Sequence, residues 1–220
     1  MKIIIVFLYI TVFFISTIQA GQNIIIAVDW GHSPYMFERD GKVTGIYPTL
    51  INAIFDRMGT EVVVKAYPWK RALKKGENGD VGIGGIYQTA DRLKIFDYST
   101  RIYTERVLVY VTPKNTFAFN TLSDLEGKTI GVLRGWSYGD AFDYFRQEGK
   151  VKTKAGNNHD VSFKRLVAGH VDCIFAPELS GNQMMRQKGY QDKIVVLSKP
   201  VTINDTYLVF AKRSLKKKAY

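Results

Sequence analysis

Arg92 stands where a residue that grips a small anion would have to stand. It follows an apolar run over residues 80–86 that reads as a strand buried on both faces, and two glycines, Gly84 and Gly85, lie near the end of that run. Thr89 then reads as a helix N-cap, with Asp91 in the first turn. Glycines at a strand's carboxyl end leave main-chain N–H and C=O groups open to a ligand, and ligands of open α/β sheets bind at such ends. A guanidinium beside them offers a planar fork of donors that fits a carboxylate. The competing reading is a solvated arginine on a short helix, the common fate of charged side chains.

A second constellation is Gly135-Trp136-Ser137-Tyr138-Gly139, which has the G-x-S-x-G form of a nucleophile elbow between a strand and a helix. An elbow serine needs an acid and then a histidine after it, and no histidine follows His170, so a serine hydrolase does not fit. The same residues suit an anion contact instead: the N–H groups of a helix N-terminus, the Ser137 hydroxyl and the Trp136 ring. Glu178 reads either as a first-turn helix acid or as the general acid of a dehydratase-like enzyme, to which nothing else in the chain corresponds. Cys173 is the single cysteine and lies in the apolar run VDCIFA, where an inert buried thiol is expected. His32, His159 and His170 show no metal spacing, and no metal or cofactor is expected.

These residues need elements to hold them. Residues 23–29 read as a strand that runs into an aromatic loop, 30–37, carrying Trp30 and Tyr35. After a turn at 41–45, apolar residues at helical spacing mark a helix over 46–58, and 61–67 is a second strand. Pro68 starts a helix that places Trp69 near any cleft and turns Lys70, Arg71, Lys74 and Lys75 to solvent. Residues 106–112 form a strand that passes into a second half. There a short helix at 122–127, a strand at 128–134 and a helix at 140–147 follow, and KRLVAGHVDCIFAPE echoes the earlier KRALKKGENGDVGIGG. The strand 207–211 returns to the first half. Matching strand-helix units predict a two-lobed α/β protein, with residues 21–111 and 200–220 in one lobe and 112–199 in the other.

The chain has 220 residues, 46% of them hydrophobic, and a formal charge of +11. That suffices for a packed core and favours anionic ligands or surfaces through the long-range field. The basic residues are scattered rather than striped with aromatics, which argues against nucleic acid. Residues 1–20 read as a secretory signal: Lys2, an apolar stretch, then a more polar end with cleavage expected after Ala20. An uncleaved anchor is the alternative, and no cysteine follows to carry a lipid. The expected location is therefore the periplasm.

The pattern D-x-x-x-G-G-x-Y-x-T-x-x-R over residues 80–92, with F-D-Y-S at 96–99 and then an aromatic, resembles the bacterial extracellular solute-binding proteins of family 3, the periplasmic components of amino-acid ABC importers. The resemblance covers about residues 23 to 212. It implies a type II periplasmic binding protein-like fold with a ligand cleft between two lobes, no catalysis, a monomer, and an ABC permease as partner. It also implies roles for particular residues. Arg92 would grip a ligand carboxylate beside Gly84, Gly85, Tyr87 and Thr89. Trp30, Tyr35 and Trp69 would hold the remainder, and Gly135, Trp136, Ser137 and Tyr138 would close from the second lobe. A ligand-sensing module without transport uses the same cleft and stays open. Three departures stand out. Residues 45–48 read G-I-Y-P where many members have an acidic residue after the glycine. Pro177 occupies the place of the aspartate that holds the α-amino group, with Glu178 one residue later. The chain stops at Tyr220, where the family continues with another helix, so a shortened first lobe is expected.

Overall fold

The computed structural model describes residues 24–214, so the expected signal segment and the final six residues lie outside the described residues. A ten-stranded mixed sheet carries helices on both sides. Its first end is built from β1 (Ile24–Asp29), α1 (Ile46–Arg57), β5 (Val62–Tyr67), α2 (Trp69–Glu77), β6 (Gly82–Tyr87), α3 (Ala90–Ile95) and β7 (Phe96–Tyr98). The second end contains β9 (Thr129–Leu133), α4 (Asp140–Gln147), β10 (Lys152–Gly156), α5 (His159–Val167), β11 (Cys173–Pro177), α6 (Glu178–Lys188) and the short β12 (Val195–Val196). Two long strands, β8 (Tyr103–Val111) and β13 (Thr202–Ala211), run between them. The spatial order is β10-β9-β11-β8-β13-β6-β1-β5, with β12 on β8 and β7 on β13.

Within each end the strands are parallel, β1 with β5 and β6, and β9 with β10 and β11. Only Asp29 and Asp80 interrupt the apolar character of β1 and the approach to β6; β6 is buried throughout and β1 at all but Ile25, as expected of strands covered on both faces. The long strands pair antiparallel with each other, β8 with β11, and β13 with β6. Because ladders continue through β8 and β13, the two ends share one sheet and one main core. A second cluster, including Tyr110, Phe163, Leu166 and Ile174, lies where α5 and α6 cover β8 and β11.

Three expectations needed correction. The segment 30–37, read as a loop, and the turn at 41–45 form a three-stranded sheet of β2 (Gly31–His32), β3 (Met36–Arg39) and β4 (Lys42–Thr44). These strands are too short for their alternation to show in sequence. β13 begins at Thr202, five residues before the strand expected from periodicity, because Thr-Ile-Asn-Asp-Thr is polar yet pairs with β8. The helix expected at 122–127 is a 3-10 turn, Leu122–Leu125, closed by a capping box between Thr121 and Asp124.

Close packing between α6 and β8 depends on Gly181, whose absent Cβ would lie 2.0 Å from the Tyr110 hydroxyl and 2.1 Å from its Cζ. Tyr110 is fully buried and cannot swing away. Gly181→Ala should therefore destabilise the protein by about 1–3 kcal/mol despite its better helix propensity. Urea unfolding with an unchanged or raised midpoint would contradict this packing.

Candidate functional site

A narrow cavity of about 10 Å³, room for little more than one water molecule, lies where the two ends of the sheet face each other. It is lined by His32, Met36, Trp69, Gly85, Tyr87, Arg92, Trp136 and Ser137. Six of the residues expected from sequence at a binding site, Trp69, Gly85, Tyr87, Arg92, Trp136 and Ser137, thus meet at one place. Each is positioned by its element. Trp69 opens α2 behind Pro68, which fixes the entry angle of the chain. Gly85 has φ +74°, and a Cβ there would meet the Tyr47 ring at 2.5 Å, so only glycine lets the strand end bend past α1. Thr89 caps α3 by accepting the Arg92 N–H at 3.2 Å. The Arg92 side chain folds back and donates to the Tyr87 carbonyl at 2.9 Å. Burial pulls the Arg92 guanidinium below its ordinary pKa, and among the described residues no carboxylate lies within ion-pair distance of it.

Trp136 reaches across from the second end of the sheet. Its indole N–H donates to Asp29 Oδ2 at 3.1 Å, and its ring packs edge-on against His32 at 4.4 Å and against Tyr87 at 6.3 Å. Further bonds cross the same boundary: Ala90 N–H to Asp140 at 3.1 Å, Ser180 Oγ to the Ser33 carbonyl at 2.7 Å, and Ser33 Oγ to Gln183 at 3.1 Å. Outside the cavity, a crevice between α3 and α4 shares Arg92, Trp136 and Ser137 with it and so forms a path inward.

The remaining expected residues lie elsewhere. Trp30 is 48% exposed and absent from the cavity wall, because its position just past β1 turns it outward. Gly84 faces the other way; a Cβ there would strike Ile51 at 2.5 Å, so its smallness serves helix-on-sheet packing. Tyr35 is buried behind the cavity against His32 and Tyr47. Tyr138 belongs to the second end's core, stacked edge-on to Phe142 and Phe175, with its hydroxyl accepting the Leu133 N–H at 2.8 Å. Gly135, at φ +79°, makes the turn and rests against Lys70 of α2. The helix N-terminus expected to receive an anion is already served: the Ser137 hydroxyl donates to Asp143, and Gly139 N–H donates to Ser137 Oγ at 3.1 Å. Ser137 is thus bonded to an acid of its own helix rather than to a histidine. Glu178 pairs with Arg106 at 3.1 Å at the mouth of α6, outside the cavity. The Cys173 thiol is buried and pushed up to about 12 by desolvation, consistent with an inert side chain.

Sequence reasoning missed four polar residues that crowd this region. Asp29 ends β1, and His32 and His159 carry buried rings with centroids 5.7 Å apart. Glu105 of β8 is buried and accepts from the Tyr47 hydroxyl and, at 2.6 Å, from that of Tyr87. Period-two alternation from Val111 back through Val109 and Val107 puts Glu105 on an inward face, a signal that was available.

The family profile of the bacterial extracellular solute-binding proteins, family 3, matches residues 24–215. The L-cystine-binding protein TcyJ of Escherichia coli strain K12 is 22% identical over 177 residues, a match that takes in 79% of this chain and 65% of that protein's length. A probable histidine-binding protein of Campylobacter jejuni is 33% identical over 107 residues, 47% of this chain and 41% of its own. Among solved structures, a histidine kinase sensor domain with similarity to periplasmic binding proteins superposes with a TM-score of 0.77 at 18% identity, covering 90% of this chain and 86% of that one. The substrate-binding protein of an amino acid ABC transporter gives 0.70 at 23%, covering 89% and 88%. The two-lobed binding-protein fold is therefore that of this chain.

Burial raises the Glu105 carboxyl to about 7 and that of Asp29 to about 6, partly offset by the hydrogen bonds each accepts. A native carboxyl that holds its proton more tightly than the unfolded chain contributes stability below the unfolded pKa and loses it as pH rises through the folded one. The buried imidazoles, both pushed down by desolvation, act with the opposite sign, His159 over about pH 4 to 6.5. Glu105→Gln should isolate the carboxyl: between pH 5 and 8 the parent should lose on the order of 1–3 kcal/mol more stability than the variant. Urea titrations giving the same pH slope for both would remove Glu105 from the titrating groups.

Proposed function

The chain belongs to the bacterial extracellular solute-binding proteins, family 3, and from that premise we propose that it captures a small carboxylate-bearing solute by closing two lobes over it and presents it to an ABC permease. The observation that carries the reading is Arg92: a half-buried guanidinium on the cavity wall, held by one backbone carbonyl and free of any carboxylate partner among the described residues. Asp143 and Glu77 act on it only from a distance, and a ligand carboxylate in contact offsets the cost of its burial with charge-assisted bonds. Trp69, Tyr87 and Trp136 would pack on the rest of the ligand. A cavity this small holds no solute as it stands, so capture requires the two lobes to part.

The names of the relatives support the class, since TcyJ and the Campylobacter protein are binding proteins for amino acids. The lobes proposed are residues 21–111 with 200–220, and 112–199, with β8 and β13 as hinge strands; ligand capture shifts the population toward the closed form, whose shape a permease reads. Export to the periplasm as a monomer belongs to the same proposal. Neither enzymatic alternative gains support from the site, because Ser137 is bonded to Asp143 and Glu178 to Arg106.

A thermal-shift screen of amino acids and small mono- and dicarboxylates should find a stabilising ligand. By isothermal titration Arg92→Ala should weaken its binding by about 2–5 kcal/mol, as expected when one partner of a buried charge pair is removed. Unchanged affinity would reject Arg92 as the anchor.

A further inference from the structure

We infer that His32 and His159 are a specificity-determining pair that reads an uncharged hydrogen-bonding group, a hydroxyl or a carboxamide, on the ligand whose carboxylate Arg92 holds; this rests on the reading of the cleft given above.

Among the described residues, both nitrogens of both rings are buried without a hydrogen-bond partner. His32 is 1% exposed and His159 3%. Buried polar atoms are rarely left so, because each forfeits its bonds to water. The nearest acid to His32 is Glu105, at 3.9 Å, beyond hydrogen-bond reach, and its oxygens are taken by Tyr47 and Tyr87. The two rings come from opposite sides of the cleft, His32 from the short sheet beside β1 and His159 from the first turn of α5, and Trp136 packs edge-on against both. His32 lines the cavity together with Arg92. The His159 ring lies behind it, outside the cavity wall, with the ring centroids 5.7 Å apart, so a polar group that reaches His32 meets a ring backed by a second unpartnered imidazole.

The chemistry of the group follows from what is left unused. Asp29 already accepts from the Gly31 N–H and the Trp136 indole, and Glu105 from two tyrosines, so an ammonium would have to share acceptor oxygens that are in use. Desolvation keeps both imidazoles neutral near pH 7, so each offers one donor and one acceptor. A hydroxyl or carboxamide, itself donor and acceptor, complements such a pair. An ammonium offers only donors, so it could use just the acceptor nitrogen of each ring, and it would enter a cavity that already holds the Arg92 guanidinium. The Pro177 side chain bears no acceptor to assist it.

The test uses the purified full chain and two matched sets of acids, propionate, lactate and alanine, and succinate, malate and aspartate, measured by isothermal titration. In at least one set the hydroxy acid should bind at least tenfold more tightly than its unsubstituted and ammonium counterparts. His32→Leu and His159→Leu should each erase that preference while leaving the thermal midpoint unchanged or raised, and His→Gln at either site should restore part of it. A preference for the ammonium member that survives in the histidine variants overturns the inference but leaves the Arg92 reading standing. A hydroxyl preference that the variants do not alter also overturns it. Failure of every acid to bind in an Arg92-dependent manner overturns both.

Discussion

The antiparallel pairing of β8 with β13, from Thr202 opposite Val107 to Thr206 opposite Tyr103, is the constraint on which the arrangement of this protein depends. Each strand serves both ends of the sheet: β8 goes on to pair with β11, and β13 with β6 and β7. Main-chain hydrogen bonds thereby fix the distance and angle between the carboxyl ends of two parallel sets of strands. That is where β1, β6 and β9 deliver Asp29, Gly85 and the Gly135 turn. A slip of one residue in this ladder would turn Glu105, Val107 and Val109 to the opposite face, so register and site are specified together.

Desolvation then decides what the site can be. Glu105 is enclosed by Tyr47 and Tyr87, Asp29 by the Gly31 amide and Trp136, and Arg92 retains one carbonyl contact. Hydrogen bonding lowers the pKa of each carboxyl without cancelling the effect of burial, which is why both remain raised. The low local dielectric that penalises these groups also strengthens any complementary charge brought to Arg92.

Much of the fold was legible in sequence because long apolar segments reveal their period. The residues 140–147 were expected as a helix and are α4, and Thr89 caps α3 as its side chain suggested. The legible part of the site was the part built from turn chemistry: glycines at a strand end, a cap, and an arginine one turn later. What escaped depends on tertiary neighbours. Nothing local distinguishes Gly84, needed to seat Ile51, from Gly85, which lines the cavity. Trp30 and Trp136 are the same residue type at comparable strand ends, yet one is half exposed and the other is buried across the cleft. His32 and His159 are separated by 127 positions by number, and a search for metal spacing could not bring them together.

Pro177 explains how labour is divided between the two sides of the cleft. Where the family resemblance calls for an aspartate, a proline ends β11 and fixes φ at −57° for the entry to α6, and Glu178 is drawn off to Arg106. The cavity wall contributed by the second end is consequently neutral, an indole and a hydroxyl from Trp136 and Ser137, with the neutral His159 imidazole behind it. All the charge of the site, on Asp29, Arg92 and Glu105, belongs to the first end and to β8. Bringing a neutral wall over charges that are already half or fully buried adds little new desolvation. Closure can then be driven by aromatic packing and a few directional bonds rather than by opposed ions, whose dehydration would oppose it. Discrimination among ligands is left to hydrogen-bond geometry, which neutral groups supply without adding charge to the closed cleft.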